Sequence, residues 1–514
     1  MRSSVSSFYL VGLFDLWVGI RTLAVTSIGA YCIAQYVQGP FMPWIGFVFL
    51  MGHLSVNQLA RQFVNDPGVV DITGAQMVLV MKLTAFCWNV ADGRLLEADL
   101  SDFQKERAIR QLPSLLDFAG YVLFFPSLFA GPAFDYVDYR RWIETTMFEV
   151  PFGVDPTKKA PTRKKRKIPR SGTPATWKAA TGIFWILLFL RLSGSYYPDL
   201  FTGNQYMQYG FVHRVFMLHM LGVTTRLKYY GVWSLTEGAC ILSGLGYKGV
   251  DPITGKVSWD RLQNVNPWGV ESAQNSRAYL GNWNINTNNW LRNYIYLRVT
   301  PKGKKPGFRA SMATFVTSAL WHGFYPGYYL TFVLASFVQT VAKSQLFHIL
   351  PSCLTADFEI DFRRYFRPFF LEPMTSQPTS AKIYYDIFSY VVTQLAFSFT
   401  TAPFVLLTLP ASFLVWTRVY FYAIIGTALS TAFFASPAKV RLIKMLNERS
   451  GNVGPKLPRT RSQESLASKE PVLGLPPNPQ KDLGKVVKEV KAEMEARQRK
   501  GISRLETAPA APSK

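Results

Sequence analysis

The stretch from Trp283 to Phe332 opens with WNINTNNW (residues 283–290) and closes with SALWHGFYPGYYLTF (residues 318–332). Five asparagines, Asn282, Asn284, Asn286, Asn288 and Asn289, crowd between and around Trp283 and Trp290. His322 follows Asn284 by 38 residues and ends the mostly apolar run MATFVTSALW. Trp283, Trp290, Tyr294 and Leu297 recur at helical spacing, which predicts one helix opening at Gly281-Asn282 and presenting these four on one face. Polar groups inside an apolar bundle are costly unless paired, so they mark a pathway or a reaction site. This reading makes the fold all-α, with the amides and the lone imidazole at its polar centre.

Outward from this stretch, composition points to a polytopic membrane protein. Of 514 residues 49% are apolar and 15% aromatic, against 17% charged, with a mean hydropathy of +0.08. The apolar residues gather in long blocks separated by short basic ones, the pattern of membrane spans and their loops. A formal charge of +24 spread over a soluble surface would suggest nucleic acid. Here it concentrates in two loops and the C-terminal tail, so the positive-inside rule explains it and no nucleic-acid partner is expected. Cys32, Cys87, Cys240 and Cys353 lie far apart without metal-ligand spacing, so neither a disulfide framework nor a metal site is expected.

Spans are expected at Phe8–Val37 (with an interfacial helix before it), Phe41–Ala60, Val69–Ala91, Leu115–Phe134, Trp177–Leu192, Tyr206–Val223 and Tyr229–Leu245. Apolar blocks at Ala310–Trp321, Gly327–Val341, Ile383–Leu409 and Ser412–Ala435 follow, for about eleven spans in all. The first block lacks a short apolar core followed by a small-residue cleavage site and is expected to stay in place. Lys158 to Arg170 holds eight Lys/Arg and no acid, and reads as a basic cytoplasmic loop. From Ser436 the chain carries 17 Lys/Arg and 8 Asp/Glu with Pro- and Ser-rich runs. Residues 436–514 are therefore expected to form a largely disordered cytoplasmic tail behind a membrane domain of residues 1–435, with a charged helix near Asp482–Arg499. Among ionisable residues in apolar segments, Arg214 and Arg226 fit helix ends in the interface. Glu237 is expected to face protein or a water-filled cavity.

His322 admits a structural role, bonded to a backbone carbonyl, and a chemical one. An imidazole withdrawn from water stays uncharged and able to accept a proton, and beside a bound alcohol it is a general base. No second histidine at i+3 or i+4 and no carboxylate in the segment accompany it, so metal ligation is not indicated. Ser318 shares its helical face, which raises a covalent acyl-serine route; a serine in an apolar helix more commonly bonds its own i−4 carbonyl. The asparagines admit helix capping, but capping needs one amide. Another near a reacting carbonyl would hold the developing oxyanion or orient the reactants.

WNINTNNW and SALWHGFYPGYYLTF together resemble the two signature motifs of the membrane-bound O-acyltransferase family, in the lysophospholipid acyltransferase branch. LKYYGVWSLTEGACILSGLGY (227–247), FPSLFAGPAFDYVDYRRW (125–142) and the DGR at 92–94 also resemble that branch. The basic PKGKKPGF linker (301–308) is most similar to the fungal broad-specificity enzymes. The resemblance covers roughly residues 8–435. It implies a helical bundle around a central tunnel in the endoplasmic reticulum membrane. It implies transfer of an acyl group from acyl-CoA, a co-substrate rather than a cofactor, to the free hydroxyl of a lysophospholipid. His322 corresponds to the family histidine and is the expected base; Asn284 corresponds to the family asparagine and aligns or stabilises the centre. Trp283, Asn286, Trp321 and Glu237 are expected to flank the substrate. Lys302, Lys304, Lys305 and Arg309 are expected to draw the phosphates of coenzyme A, or else to report topology alone. A protein or glycan acceptor, a transporter pathway and a purely structural polar core are the competing readings. Headgroup, acyl-chain and positional preference and the oligomeric state stay open at this level.

Overall fold

The computed structural model describes residues 6, 8–13, 15–64, 71–149, 168–251, 253–300, 308–339, 365–373 and 375–449. It is helical almost throughout. The helices used below are α1 (Trp17–Tyr36), α2 (Met42–Val64), α3 (Thr73–Gly93), α4 (Leu115–Val122), α5 (Tyr136–Ile143), α6 (Gly172–Ser193) and α7 (Phe211–Ser243). They continue with α8 (Pro267–Glu271), α9 (Ser276–Asn282), α10 (Ile285–Leu291), α11 (Phe308–His322) and α12 (Pro326–Gln339). The last are α13 (Lys382–Leu406), α14 (Leu409–Arg418), α15 (Tyr422–Ala435) and α16 (Pro437–Arg449). Two short strands, β1 (Gly249–Val250) and β2 (Val257–Ser258), pair antiparallel with Gly249 opposite Ser258. Among the described residues four helical segments are long and apolar enough to cross a membrane, or five if a bent pair counts as one span.

Contacts divide the chain into two compact units. The first takes residues 1–294, 316–335 and 383–424. At its centre is α3, almost wholly buried although it carries Lys82. The cost of burying that ammonium is offset locally: Nζ donates to the Tyr121 carbonyl at 2.6 Å and lies 4.4 Å from the Tyr121 and Phe134 ring centres. Arg94 of the DGR sequence reaches back to the carbonyls of Ala34 and Val37 and closes the C-terminus of α1. By contrast, α6 turns most of its surface outward, as a lipid-facing helix does. It meets α7 through small residues. A Cβ on Gly182 would lie 3.0 Å from the Gly231 carbonyl, and one on Gly238 would lie 3.1 Å from the Ala175 carbonyl. Glycines here let the two backbones approach closely.

Several sequence-based expectations change. Tyr206–Val223 and Tyr229–Leu245 are not two segments, since α7 is one helix of 33 residues, about 50 Å long. Arg226 is therefore not at a helix end but in the middle of α7, buried in an ion pair with Glu271. The expected span Leu115–Phe134 breaks after Val122: α4 ends and a single tight turn, Phe125–Ser127, carries Pro126. Proline removes a backbone donor and stops the helix, and Gly131-Pro132 prevents it from resuming. The separation expected between Ile383–Leu409 and Ser412–Ala435 falls at Leu407, but the second block is itself interrupted at Tyr420 and Phe421, all three residues having positive φ. The helix expected from Gly281-Asn282 begins instead at Ile285; those two residues end α9, and Asn284, at φ +45°, ψ +53°, separates the two helices. Trp283 therefore lies outside the face shared by Trp290 and Tyr294.

The second unit takes residues 295–315, 336–382 and 425–514. Its described core is Tyr365, Phe434 and Leu442, with Phe366, Phe369, Ile443 and Leu446 packed on it. Residues 437–449, expected to begin a structureless tail, form α16. The reason is local: Leu442, Ile443 and Leu446 recur at helical spacing and bury one face while Lys444 stays exposed. Of the basic loop 158–170 only residues 168–170 are described, and residues 450–514, with the helix expected near Asp482, lie outside the described residues.

Candidate active site

The asparagine cluster divides into structural amides and one, Asn284, that lines a cavity and whose nitrogen has no protein acceptor among the described residues. Asn282 Nδ2 donates to the Ala278 carbonyl at 2.7 Å, and Asn288 Nδ2 to the carbonyls of Leu280 and Trp283 at 2.8 and 2.9 Å. Asn286 Nδ2 donates to the Gln263 carbonyl at 3.2 Å and to Asn264 Oδ1 at 3.1 Å. Asn289 is exposed. The backbone around Asn284 is pinned from the facing strand of chain. Ile285 N–H donates to the Asn264 carbonyl at 2.8 Å, Asn286 N–H to Asn264 Oδ1 at 3.2 Å, and Asn266 N–H to the Asn282 carbonyl at 2.9 Å. Asparagine tolerates the left-handed conformation that these bonds impose. Asn284 Oδ1 accepts from the Thr287 hydroxyl at 2.8 Å, while its Nδ2 has no protein acceptor among the described residues.

Asn284 lines a cavity of about 40 Å³ together with Asn264, Asn286, Thr287, Trp233 and Trp321. Val78 and Met81 of α3 and the segment Ala130–Ala133 close the other side. Its size admits a water or a small reacting group. Trp321 is held there from both ends: its indole N–H donates to the Met77 carbonyl at 3.0 Å, and its own carbonyl accepts from Gln58 Nε2 at 2.8 Å.

His322 is the next residue and the last of α11. Gly323 follows at φ +126°, a conformation that favours glycine, and so turns the chain into α12 immediately after the imidazole. The ring sits among aromatic rings, with centroids 4.7 Å from Trp321, 5.0 Å from Phe404 and 5.1 Å from Phe332, the last stacked at 29°. Gly327 makes this packing possible: its N–H donates to the Leu407 carbonyl at 2.7 Å, and a Cβ there would collide with the Pro403 carbonyl. Among the described residues the imidazole has no hydrogen-bond partner. No described backbone carbonyl anchors it, and no hydrogen bond joins Ser318 to His322. An imidazole without a protein partner keeps its nitrogens available to a ligand.

The other expected site residues separate. Asn286 and Trp321 line the cavity with Asn284. Trp283 does not; it packs edge-on against Tyr229, Tyr230 and Trp233 at 5.7, 5.9 and 5.0 Å. Glu237 faces protein rather than the cavity, because Lys178 of α6 lies 2.9 Å from its carboxylate and supplies the counter-charge. Lys302, Lys304 and Lys305 lie outside the described residues, as does the side chain of Arg309 near the start of α11. Sequence reasoning missed the buried ion pair behind Trp283. Arg226 Nε and Nη2 each bond Glu271 at 2.7 Å, and the Tyr230 hydroxyl donates to the same carboxylate at 2.7 Å. It also missed Asn264, Gln58 and the Ala130–Ala133 wall. Only Asn264, in the QNVNPW run, carried a readable signal, a short polar amide beside a helix start.

A helical bundle with long apolar segments, and a cavity lined by Asn284 and Trp321 but not by the His322 ring itself, defines a helical membrane protein with a polar centre. The particular family follows from comparison with known proteins. Residues 68–363, more than half of the chain, match MBOAT, the membrane-bound O-acyltransferase family, and the chain belongs to that family. It is similar to the lysophospholipid acyltransferase of Saccharomyces cerevisiae, 41% identical over 443 residues, covering 84% of this chain and 69% of that protein. The lysophospholipid acyltransferase of Schizosaccharomyces pombe is 41% identical over 452 residues, covering 87% and 82%. The human membrane-bound glycerophospholipid O-acyltransferase 2 is 28% identical over 410 residues, covering 79% and 72%.

Proposed function

We propose that this chain is a lysophospholipid acyltransferase that moves a fatty acyl group from acyl-CoA to the free hydroxyl of a lysophospholipid. One observation carries the reading: both motifs contribute to one cavity, where, among the described residues, neither the amide nitrogen of Asn284 nor the imidazole that follows Trp321 has a protein hydrogen-bond partner. The names of the relatives supply the substrate class.

In the proposed mechanism His322 takes the proton of the lysophospholipid hydroxyl as the oxygen attacks the thioester carbon. The carbonyl π bond opens to an oxyanion, which Asn284 Nδ2 stabilises. Collapse restores the carbonyl and breaks the C–S bond; the departing sulfur takes the proton from His322 and leaves as the thiol of coenzyme A. The new bond is the ester of the diacyl phospholipid, and His322 returns to its starting state. In this reading about eleven crossings surround a tunnel leading to the His/Asn pair in the endoplasmic reticulum membrane. The basic loop, the tail and Lys302, Lys304, Lys305 and Arg309 face the cytoplasm, where the cationic side chains meet the phosphates of coenzyme A. Trp283, Asn286 and Trp321 shape the substrate side, Trp283 by backing the cavity.

The test is expression in an acyltransferase-null background, with microsomes given labelled acyl-CoA and a panel of lysophospholipids. Wild type should label diacyl phospholipid directly, and His322→Ala, with equal expression and folding, should abolish that label. Labelling of a protein or glycan instead, or a His322→Ala rate near wild type, would overturn the reading.

A further inference from the structure

We propose that Asn264 is a second catalytic amide, which shares with Asn284 the carbonyl oxygen of the acyl donor as that oxygen becomes an oxyanion. The proposal rests on the acyl-transfer reading above. Asn264 is 4% exposed yet lines the cavity with Asn284 and Trp321. Its acceptors are engaged: the backbone carbonyl takes the Ile285 N–H at 2.8 Å, and Oδ1 takes the Asn286 backbone and side-chain N–H groups at 3.2 and 3.1 Å. These bonds to Oδ1 fix which end of the amide points away from the protein contacts. Nδ2, like that of Asn284, has no protein acceptor among the described residues, which leaves its N–H groups available to a ligand or water.

The two amides are also held as one unit. The Asn264 carbonyl and Oδ1 hold the backbone N–H groups of the two residues following Asn284, which ties the two asparagine backbones together. Two amide side chains lining one cavity, each with an Nδ2 that no described protein group accepts from, match the need of a tetrahedral centre, whose oxygen gains negative charge and accepts more than one hydrogen bond. His322 supplies the base on the other motif, and the paired amides supply the counterpart for the charge that the attack creates.

The test uses the full chain reconstituted in phosphatidylcholine nanodiscs, with Asn264→Ala and Asn264→Asp compared with wild type. The substituents differ usefully: aspartate keeps the acceptor that holds Asn286 but lacks the Nδ2 donor, whereas alanine removes both. Kinetics are read with oleoyl-CoA and lysophosphatidylcholine. In parallel, the infrared band of oleoyl-CoA labelled with carbon-13 at the thioester carbonyl is read on the bound enzyme without acceptor. Both variants should lose roughly 100-fold or more in kcat with KM changed by less than about threefold. The carbonyl band should move part of the way back toward its frequency in free oleoyl-CoA. Wild-type kcat in Asn264→Asp would make Asn264 a clasp for Asn286 only and overturn the proposal. A kinetic loss with an unmoved carbonyl band would overturn it too. If Asn264→Ala fails to fold, as judged by thermal unfolding, Asn264→Asp decides the matter by itself. A wild type that acylates no member of the lysophospholipid panel would instead defeat the acyl-transfer reading, and this proposal with it.

Discussion

Replacing Asn284 separates what its side chain does from what its backbone demands. The residue sits at φ +45°, ψ +53°, and its side chain holds the Thr287 hydroxyl at 2.8 Å while Nδ2 is free at the cavity. Asn284→Ala removes the amide and also places a Cβ-bearing residue of low left-handed preference in that conformation, at about 1–2 kcal/mol. The Thr287 hydroxyl loses its acceptor, at about 1 kcal/mol. Asn284→Gly removes the amide alone, because glycine adopts the left-handed region freely. If the amide stabilises an oxyanion, both variants lose about 10²–10³ in kcat. Alanine should lower the thermal unfolding midpoint further than glycine, which shares the loss at Thr287 but avoids the conformational penalty. The assay is single-turnover transfer from labelled acyl-CoA to lysophosphatidylcholine, with thermal unfolding of the same preparations. A glycine variant retaining more than about one tenth of wild-type kcat would refute the catalytic assignment, since the backbone would then be the only thing Asn284 supplies.

Two further outcomes concern the scaffold. Glu271→Ala leaves the buried Arg226 guanidinium without its bidentate partner and should destabilise the fold by about 3 kcal/mol, the lower end for breaking such a pair, because the Glu271 side chain is 28% exposed; thermal unfolding in detergent that matches wild type would contradict this. Gly231→Leu forces a side chain into the α6–α7 contact, where a Cβ already lies 3.1 Å from the Gly182 carbonyl, and overpacking of about 1–3 kcal/mol should appear as a lower unfolding midpoint with the two helices separated in cross-linking.

Much of the candidate site was legible because its residue types are improbable in lipid. An amide cluster and a solitary histidine in apolar sequence stand out by cost alone, and both motifs contribute to or adjoin the cavity. Glu237 stood out for the same reason, but Lys178 neutralises it, and a partner on another helix cannot be read from hydropathy. Arg226 is the converse: its position suggested an interface, and its partner Glu271 lies 45 residues away in the chain. Asn264 escaped notice because one asparagine before Asn-Pro reads as a turn.

By itself, the order of residues determined a helical membrane protein and singled out an amide cluster and a lone histidine within apolar sequence. These depend on composition and short-range spacing, which act within a few turns of chain. Tertiary structure alone decided which polar groups remain unpartnered. Asn286 and Asn288 resemble Asn284 in sequence, yet backbone carbonyls claim their amide nitrogens and leave that of Asn284 free. Hydrogen-bond satisfaction is a property of what lies within about 3 Å in space, and distance along the chain carries no record of it.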